Sequence, residues 1–160
     1  MKPTFTGHAH FDDIGFAYAP ANRTGLRWWK IPIWRVVLNK DFPLAITRPD
    51  GVRYRPDMVF SSDGGSIPYT IQNVLSMIPF INLKRDVYRK SYAIHDCAYR
   101  DHGLWVAGPD DRWTFQQLDR GTVDVILLEC LEAEGANAAE RAMIYAGVRA
   151  GGWVPWRNRA

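Results

Sequence analysis

The sequence is poor in cysteine and has no long apolar run. Its 160 residues include 2 cysteines, Cys97 and Cys130, which lack CxxC spacing. Disulfide-rich secreted minidomains are therefore excluded, and both thiols are expected to be small buried side chains in a reducing compartment. No stretch approaches the ~18 apolar residues of a membrane span, and the first residues lack the apolar stretch of a signal peptide. We expect a soluble cytoplasmic protein with no transmembrane segment.

Clustered charge of one sign is also missing. The chain has 20 Lys and Arg against 17 Asp and Glu, a formal charge of +3, and no run of five or six basic residues. This dispersed excess is typical of a mixed solvated surface and does not favour nucleic acid as a partner. Aromatic residues, by contrast, are abundant at 13%, including 7 Trp, and this content excludes intrinsic disorder.

Turn-forming residues divide the chain into three parts. Residues 1–27 are repeatedly interrupted by Asp, Gly and Pro, and we expect an N-terminal arm or irregular cap there. Residues 28–152 are expected to form a single α+β domain, in which a small antiparallel strand-rich half precedes three to four helices. Residues 153–160 form a Trp-rich C-terminal tail.

Within the domain, strand signals precede helix signals. Segments rich in aromatic and β-branched residues predict strands over 28–31, 33–38, 44–47, 52–55 and 58–60. Pro49-Asp50-Gly51 predicts a hairpin turn between the third and fourth of these strands. After Pro68 the pattern predicts helices over 69–77, 86–102, 115–134 and 138–150, and a connecting loop over 103–113.

A His and an Asp fall on the inward faces of two predicted helices. Asp124 shares an apolar stripe with Leu127, Leu128 and Leu131, and His95 shares an aromatic stripe with Tyr88, Tyr92 and Tyr99. Because a buried carboxylate needs a partner, we predict that His95 and Asp124 pair between antiparallel helices. Asp124 would then orient His95 as a general base, or the pair would only lock two helices together.

The predicted junction between strands and helices contains a glycine-rich segment, Ser61-Ser62-Asp63-Gly64-Gly65-Ser66-Ile67-Pro68. Ser66 is predicted to be either a helix N-cap or part of a catalytic oxyanion site. Asp63 would orient His95 or hold a divalent cation, and Asp96 is a second candidate ligand for such a cation. The alternative for Asp96 is an ion pair with Arg100 on a solvated helix face.

The tail provides a candidate docking segment. Trp153, Trp156 and Arg157 combine exposed indoles with a positive charge, a pairing that is typical of partner surfaces. Folding of this segment back onto the domain is an equally good interpretation.

Four motifs in order carry a family resemblance, namely Ser62-Asp63-Gly64-Gly65-Ser66-Ile67-Pro68, Ala93-Ile94-His95-Asp96-Cys97-Ala98-Tyr99-Arg100, Val123-Asp124 and Tyr145-Ala146-Gly147-Val148. Over roughly residues 28–152 the chain resembles domain-of-unknown-function family 1353, found mainly in tailed bacteriophages and prophages. Ser62 and Gly65 replace the Thr and Ala usual in that family. The resemblance implies a phage context and assigns as motif residues Asp63, Ser66, Pro68, His95, Asp96, Tyr99 and Asp124.

The segment His95-Asp96-Cys97-Ala98-Tyr99, with an Asp on the partner helix, is also similar to the His–Asp dyad of secreted phospholipases of the A-two class. In those enzymes a water attacks an ester while calcium holds the oxyanion. The flanking disulfides are missing here, and no glycine-rich calcium loop stands in the matching place. This similarity implies hydrolysis and leaves the substrate open.

Two functions follow as expectations. The first is a virion or tail-associated structural or assembly component, which contacts other phage proteins in an oligomeric assembly or the host envelope. Its expected location is the virion, or the host cytoplasm during assembly. The alternative is a hydrolase of a host-envelope component such as phospholipid or peptidoglycan, with His95 as general base, Asp124 as its orienter and a divalent cation at Asp63 or Asp96.

Overall fold

Antiparallel strands dominate the first half of the chain, and helices dominate the second. The structure, a computed structural model, describes residues 9–12, 16–20, 34–38, 44–62, 87–108, 110–152 and 156–157. Its strands are β1 (His10–Asp12), β2 (Phe16–Pro20), β3 (Trp34–Leu38), β4 (Ala45–Thr47), β5 (Arg53–Arg55), β6 (Val59–Ser62), β7 (Gly103–Ala107) and β8 (Trp113–Gln117). Its helices are α1 (Arg89–Asp101), α2 (Arg120–Ala133) and α3 (Ala138–Gly151). The predicted α+β class is confirmed.

The strands form two antiparallel sheets. One has the order β1-β4-β5-β7-β8 and the other β2-β3-β6. The predicted hairpin joins β4 to β5, where the N–H of Gly51 donates to the carbonyl of Arg48 at 2.9 Å. Gly51 has a φ of 80°, a left-handed conformation that glycine adopts without strain. This hairpin places Arg53 and Arg55 on the central strand of the larger sheet.

Two segments differ from the prediction. The predicted loop over 103–113 contains β7 and the start of β8, and the helix predicted from Phe115 begins at Arg120. Phe115 lies opposite Trp105 in the β7–β8 ladder, so cross-strand aromatic pairing overrides the helical pattern. Asp119 then caps α2, because its side chain accepts a hydrogen bond from the Thr122 N–H.

The segment 1–27, expected to be irregular, contains two strands among its described residues. β1 pairs with β4, and β2 pairs with β3, so both are integrated into the sheets. The predicted strand over 28–31 and the predicted helix over 69–77 lie outside the described residues.

Helix α1 packs on β6 of the smaller sheet and β7 of the larger one, α2 packs on β1 and α1, and α3 packs on α2. Leu44, Ile46 and Leu104 from the sheet meet Ile94 and Ile126 from the helices in one buried cluster, and each buried side chain of this size contributes roughly 1.5–3 kcal/mol. The Arg48 side chain binds both carboxylate oxygens of Glu129, at 2.7 and 2.8 Å, and so fixes α2 to the β4–β5 turn. Within the described residues, no helix is long and apolar enough to cross a membrane.

The helices α1 and α2 run antiparallel, as predicted. Ser91 near the start of α1 donates to Glu134, just after the end of α2, at 2.6 Å. Tyr99 near the end of α1 donates to Asp124, in the second turn of α2, at 2.6 Å. This alignment brings the inward His and Asp of the two helices to the same level.

Candidate functional site

The predicted pair forms between α1 and α2. His95 Nε2 lies 3.3 Å from Asp124 Oδ1, within hydrogen-bond distance. Both residues point inward because their helical spacing places them on the buried faces. In a neutral imidazole, an N–H at Nε2 donates to the carboxylate and leaves the lone pair on Nδ1.

Asp124 also binds groups from every described helix. Tyr99 OH donates to Oδ1 at 2.6 Å, and Arg149 Nη1 from α3 donates to Oδ2 at 3.0 Å. Arg120, one turn earlier on α2, places its Nε 3.6 Å from Oδ2. A fully buried carboxylate is thus surrounded by donors and by two guanidinium groups, which offset the cost of removing it from water.

These contacts keep Asp124 ionised. Burial by itself raises the pKa of a carboxyl group, but the hydrogen bonds from His95, Tyr99 and Arg149 lower the pKa of Asp124 below its ordinary value. Burial and the hydrogen bond to Asp124 raise the pKa of Tyr99 to about 12, so its hydroxyl is a donor at neutral pH. A negative charge therefore sits beside the His95 ring at neutral pH.

The His95 side chain is slightly more exposed to solvent than the Asp124 side chain. The His95 side chain keeps 9% of its accessible surface, and the Asp124 side chain keeps none. The Tyr99 ring packs on the His95 ring with centroids 4.2 Å apart. Tyr88, Tyr92 and Tyr99 are all buried, so the aromatic stripe predicted on α1 lies in the core. The arrangement supports either proton transfer at Nδ1 or a closed structural pair.

Asp96, the next residue on α1, faces the end of β6. Its Oδ2 accepts a hydrogen bond of 2.5 Å from Ser62 Oγ, and the Arg100 guanidinium binds Asp101 at 2.5 Å. Ser62 is therefore a partner of Asp96, and the predicted ion pair between Asp96 and Arg100 stays a prediction. Among the residues that the structure describes, no three His, Cys, Asp or Glu side chains converge as metal ligands.

Several predicted site residues lie outside the described part of the chain. These are Asp63, Ser66, Pro68 and Trp153. The predicted oxyanion and cation roles of the glycine-rich loop stay predictions.

The described part of the tail folds back onto the domain. The Trp156 ring stacks on His102 with centroids 4.3 Å apart and meets the edge of Tyr99 at 5.1 Å. The Trp156 carbonyl oxygen lies 3.0 Å from His102 Nε2. The contacts of Trp156 agree with the interpretation in which the tail folds back, and Arg157 is exposed. The docking role of Trp153, Trp156 and Arg157 stays a prediction.

The two arginines around Asp124 were missed from the sequence. Arg120 lies four residues before Asp124, a spacing that places both on one helix face and could have predicted their contact. Arg149 had no such local signal, because it reaches Asp124 only through the packing of α3 on α2.

The comparisons with known proteins leave the function to be inferred from the geometry. No protein-family model, curated protein or solved structure matches this chain. The resemblance to family 1353 stays a prediction, and the function is proposed from the site.

Proposed function

We propose that this domain is a hydrolase in which His95 is the general base and Asp124 its orienter. The observation that carries the proposal is the contact of His95 Nε2 with a buried, ionised carboxylate. The carboxylate selects the tautomer with its lone pair on Nδ1 and stabilises the imidazolium formed when that nitrogen takes a proton. A His–Asp pair with this geometry is suited to activating a water molecule.

The proposed step is hydrolysis of an ester or amide. His95 Nδ1 removes a proton from water as the water oxygen bonds to the carbonyl carbon. The tetrahedral intermediate then collapses, and the imidazolium returns the proton to the departing alkoxide or amine. Tyr99 and Arg149 are positioning residues in this scheme, because they bind Asp124 and hold it in place.

The substrate class follows from the family resemblance alone. A phage-encoded hydrolase would act on a host-envelope component, such as a phospholipid ester or a peptidoglycan amide. Of the two residues predicted to hold a divalent cation, the described part contains Asp96, which is bonded to Ser62. No step of the proposal is routed through a cation.

The test uses two histidine variants that receive the same substitution. The purified protein is incubated with phospholipid vesicles and with peptidoglycan sacculi, and the released fatty acid or soluble fragments are measured. We expect His95→Asn to lower turnover by about 10²–10⁴-fold, the usual contribution of a general base. His102→Asn, at the end of the same helix, keeps turnover because His102 binds Trp156 and not Asp124. Equal turnover in wild type and His95→Asn would overturn the proposal.

A second candidate is the structural or assembly role in a phage particle. The observation in its favour is that His95 is buried and the Tyr99 ring packs on its ring, which suits a pair that ties helices together. Mass spectrometry of purified virions tests it, with metal content measured on the same sample. A stoichiometric, metal-free presence in particles, together with inactivity on both substrates, would favour this role over hydrolysis.

A further inference from the structure

We propose that the outer face of β5, β7 and β8 binds single-stranded nucleic acid. This outer face consists of Arg53, Arg55, Trp105, Trp113 and Phe115. The inference is independent of the proposed hydrolase, because the two sites share no residue.

The sheet register places these side chains together. In one row across β5, β7 and β8, Arg55 lies opposite Trp105, and Trp105 lies opposite Phe115. Two residues along the strands, Arg53 and Trp113 lie on either side of Ala107. Directly opposed residues of antiparallel strands point to the same face. Their neighbours Tyr54 and Leu104 point into the buried core, so the outer face is the side away from it.

Guanidinium groups and aromatic rings alternate across this face. The Arg55 guanidinium lies 5.1 Å from the Trp105 ring centroid and 4.9 Å from that of Trp113. The Arg53 guanidinium lies 5.2 Å from the same Trp113 ring. The Phe115 side chain meets Trp105 edge to face and is 45% exposed. Cations stacked on indoles beside an exposed ring form a platform on which a planar group can stack.

The positive charge of the outer face is only partly compensated. Arg53 binds Asp111 at 2.5 Å. Arg55 makes no ion pair in the described part of the chain, and its Nη1 donates to the Pro56 carbonyl oxygen at 3.2 Å. The carboxylate nearest in sequence, Asp57, accepts a hydrogen bond from the Trp105 indole at 2.9 Å. An anionic ligand would supply the negative charge that no carboxylate provides to Arg55 there.

Arginines beside aromatic rings indicate that the ligand is a single-stranded nucleic acid. Each nucleotide offers a planar base and one negative phosphate, so successive bases stack on aromatic rings while the arginines meet the backbone. Neighbouring strands lie about 4.8 Å apart and alternate residues about 6.7 Å apart, so the platform fits roughly two bases. An acidic glycan would meet the arginines but has no π-face for the exposed ring. The net charge did not favour nucleic acid, yet the outer face concentrates charge and rings locally.

Binding is measured on the full chain by fluorescence anisotropy with a labelled oligothymidylate of about eight nucleotides, within the ~4–16-nucleotide sites of known single-strand binders. We expect saturable binding that weakens as salt increases and quenches tryptophan fluorescence. Arg55→Gln and Phe115→Ala each weaken binding by about tenfold or more, and Phe115→Tyr, which keeps the ring, retains it. Arg112→Gln is the matched charge control, because Arg112 is 86% exposed in the β7–β8 turn, and it changes affinity little.

Four results would overturn the proposal. The first is no binding even at low salt. The second is equal affinity for an abasic oligonucleotide of the same length, and the third is equal losses in Arg55→Gln and Arg112→Gln, because either would mean attraction to charge without stacking. The fourth is binding of a uronic-acid oligosaccharide in place of the oligonucleotide, which would reassign the outer face to acidic glycans. Far-ultraviolet circular dichroism verifies that each variant is folded.

Discussion

The cluster around Asp124 and the outer face of β5, β7 and β8 both combine guanidinium groups with aromatic rings. Around Asp124, Arg120 and Arg149 surround a buried carboxylate, and Tyr99 completes its shell. On the outer face, Arg55 stacks between two indoles and has no carboxylate bound to it in the described part of the chain. The same side-chain types therefore form a charge-compensated internal site in one place and an anion-seeking surface in the other.

The two places differ in whether the guanidinium groups have a carboxylate partner, and this difference separates a structural role from a ligand-binding one. A buried charge with all its partners holds elements in place, and removing one partner is costly because the others are left unpaired. A guanidinium without a carboxylate contributes little to folding and is available to a ligand. Substitutions in the two places should therefore differ in their cost to stability.

Removing the Asp124 carboxylate breaks the compensated cluster. We expect Asp124→Ala to lower the free energy of unfolding by about 3–5 kcal/mol, because two arginines, Tyr99 and His95 lose their shared partner. Urea denaturation provides the measurement. Asp110→Ala, in the exposed β7–β8 turn, is the control and should change stability by about 0.5 kcal/mol or less. A loss below about 1 kcal/mol in Asp124→Ala would show that the cluster does not hold the helices together.

Acid should weaken the same cluster. The pKa of Asp124 is lowered in the folded state, whereas the unfolded chain has the ordinary value of about 3.9. The stabilisation is therefore complete above that value and is lost as the pH falls through the folded-state pKa. Urea denaturation of wild type and Asp124→Asn across this range should show the stability difference shrinking in acid. A difference that is constant or grows in acid would contradict the assigned ionisation.

Gly152 tests the packing beside Tyr99. A Cβ at Gly152 would lie 2.6 Å from the Tyr99 hydroxyl oxygen and 2.5 Å from the Val148 carbonyl oxygen. Its φ of −72° suits any residue, so Gly152→Ala isolates the steric effect, and we expect a loss of about 1–3 kcal/mol.

Gly147, within α3, is the matched control for this change. A Cβ at Gly147 would meet no atom of a neighbouring element within 4 Å in the described part of the chain, so Gly147→Ala should stabilise by about 0.5–1 kcal/mol. Both variants are measured by thermal and urea unfolding. Equal effects at the two glycines would exclude tight packing at Tyr99.

The smallest effect is expected on the outer face. Arg55→Met removes an uncompensated charge and keeps a long side chain beside Trp105 and Trp113. Stability should stay within about 1 kcal/mol of wild type, because the variant loses the cation–π contacts and the hydrogen bond to the Pro56 carbonyl oxygen but leaves no carboxylate unpaired. A loss above about 1 kcal/mol by urea denaturation would mean that Arg55 has a structural role like that of the Asp124 cluster.

Local patterns in the sequence predicted the parts that depend on periodicity. The inward positions of His95 and Asp124 follow from the helical repeat, and the β4–β5 hairpin follows from the Pro49-Asp50-Gly51 turn. The β7–β8 hairpin was missed because Phe115 also continues the apolar stripe of α2, and only pairing with Trp105 decides between strand and helix.

Contacts that depend on tertiary packing could not be predicted from the sequence. Arg149 reaches Asp124 from α3, and Trp156 packs on His102 across 54 residues of chain. The outer face arises from the pairing of β5 with the β7–β8 hairpin, which lies about 50 residues further along the chain. The abundance of tryptophan is plain from the composition, but composition alone does not show which of the seven meet arginine.

Whether Asp124 orients His95 can be read from the two ring nitrogens of His95 in long-range proton–nitrogen correlation spectra of nitrogen-15-labelled protein. We expect the tautomer with hydrogen on Nε2 at neutral pH, because Asp124 Oδ1 accepts from that nitrogen. We also expect that Asp124→Asn changes this signal while the signal of His102 is retained. A hydrogen on Nδ1, or a His95 signal unchanged by Asp124→Asn, would contradict the assignment of His95 as a base oriented by Asp124.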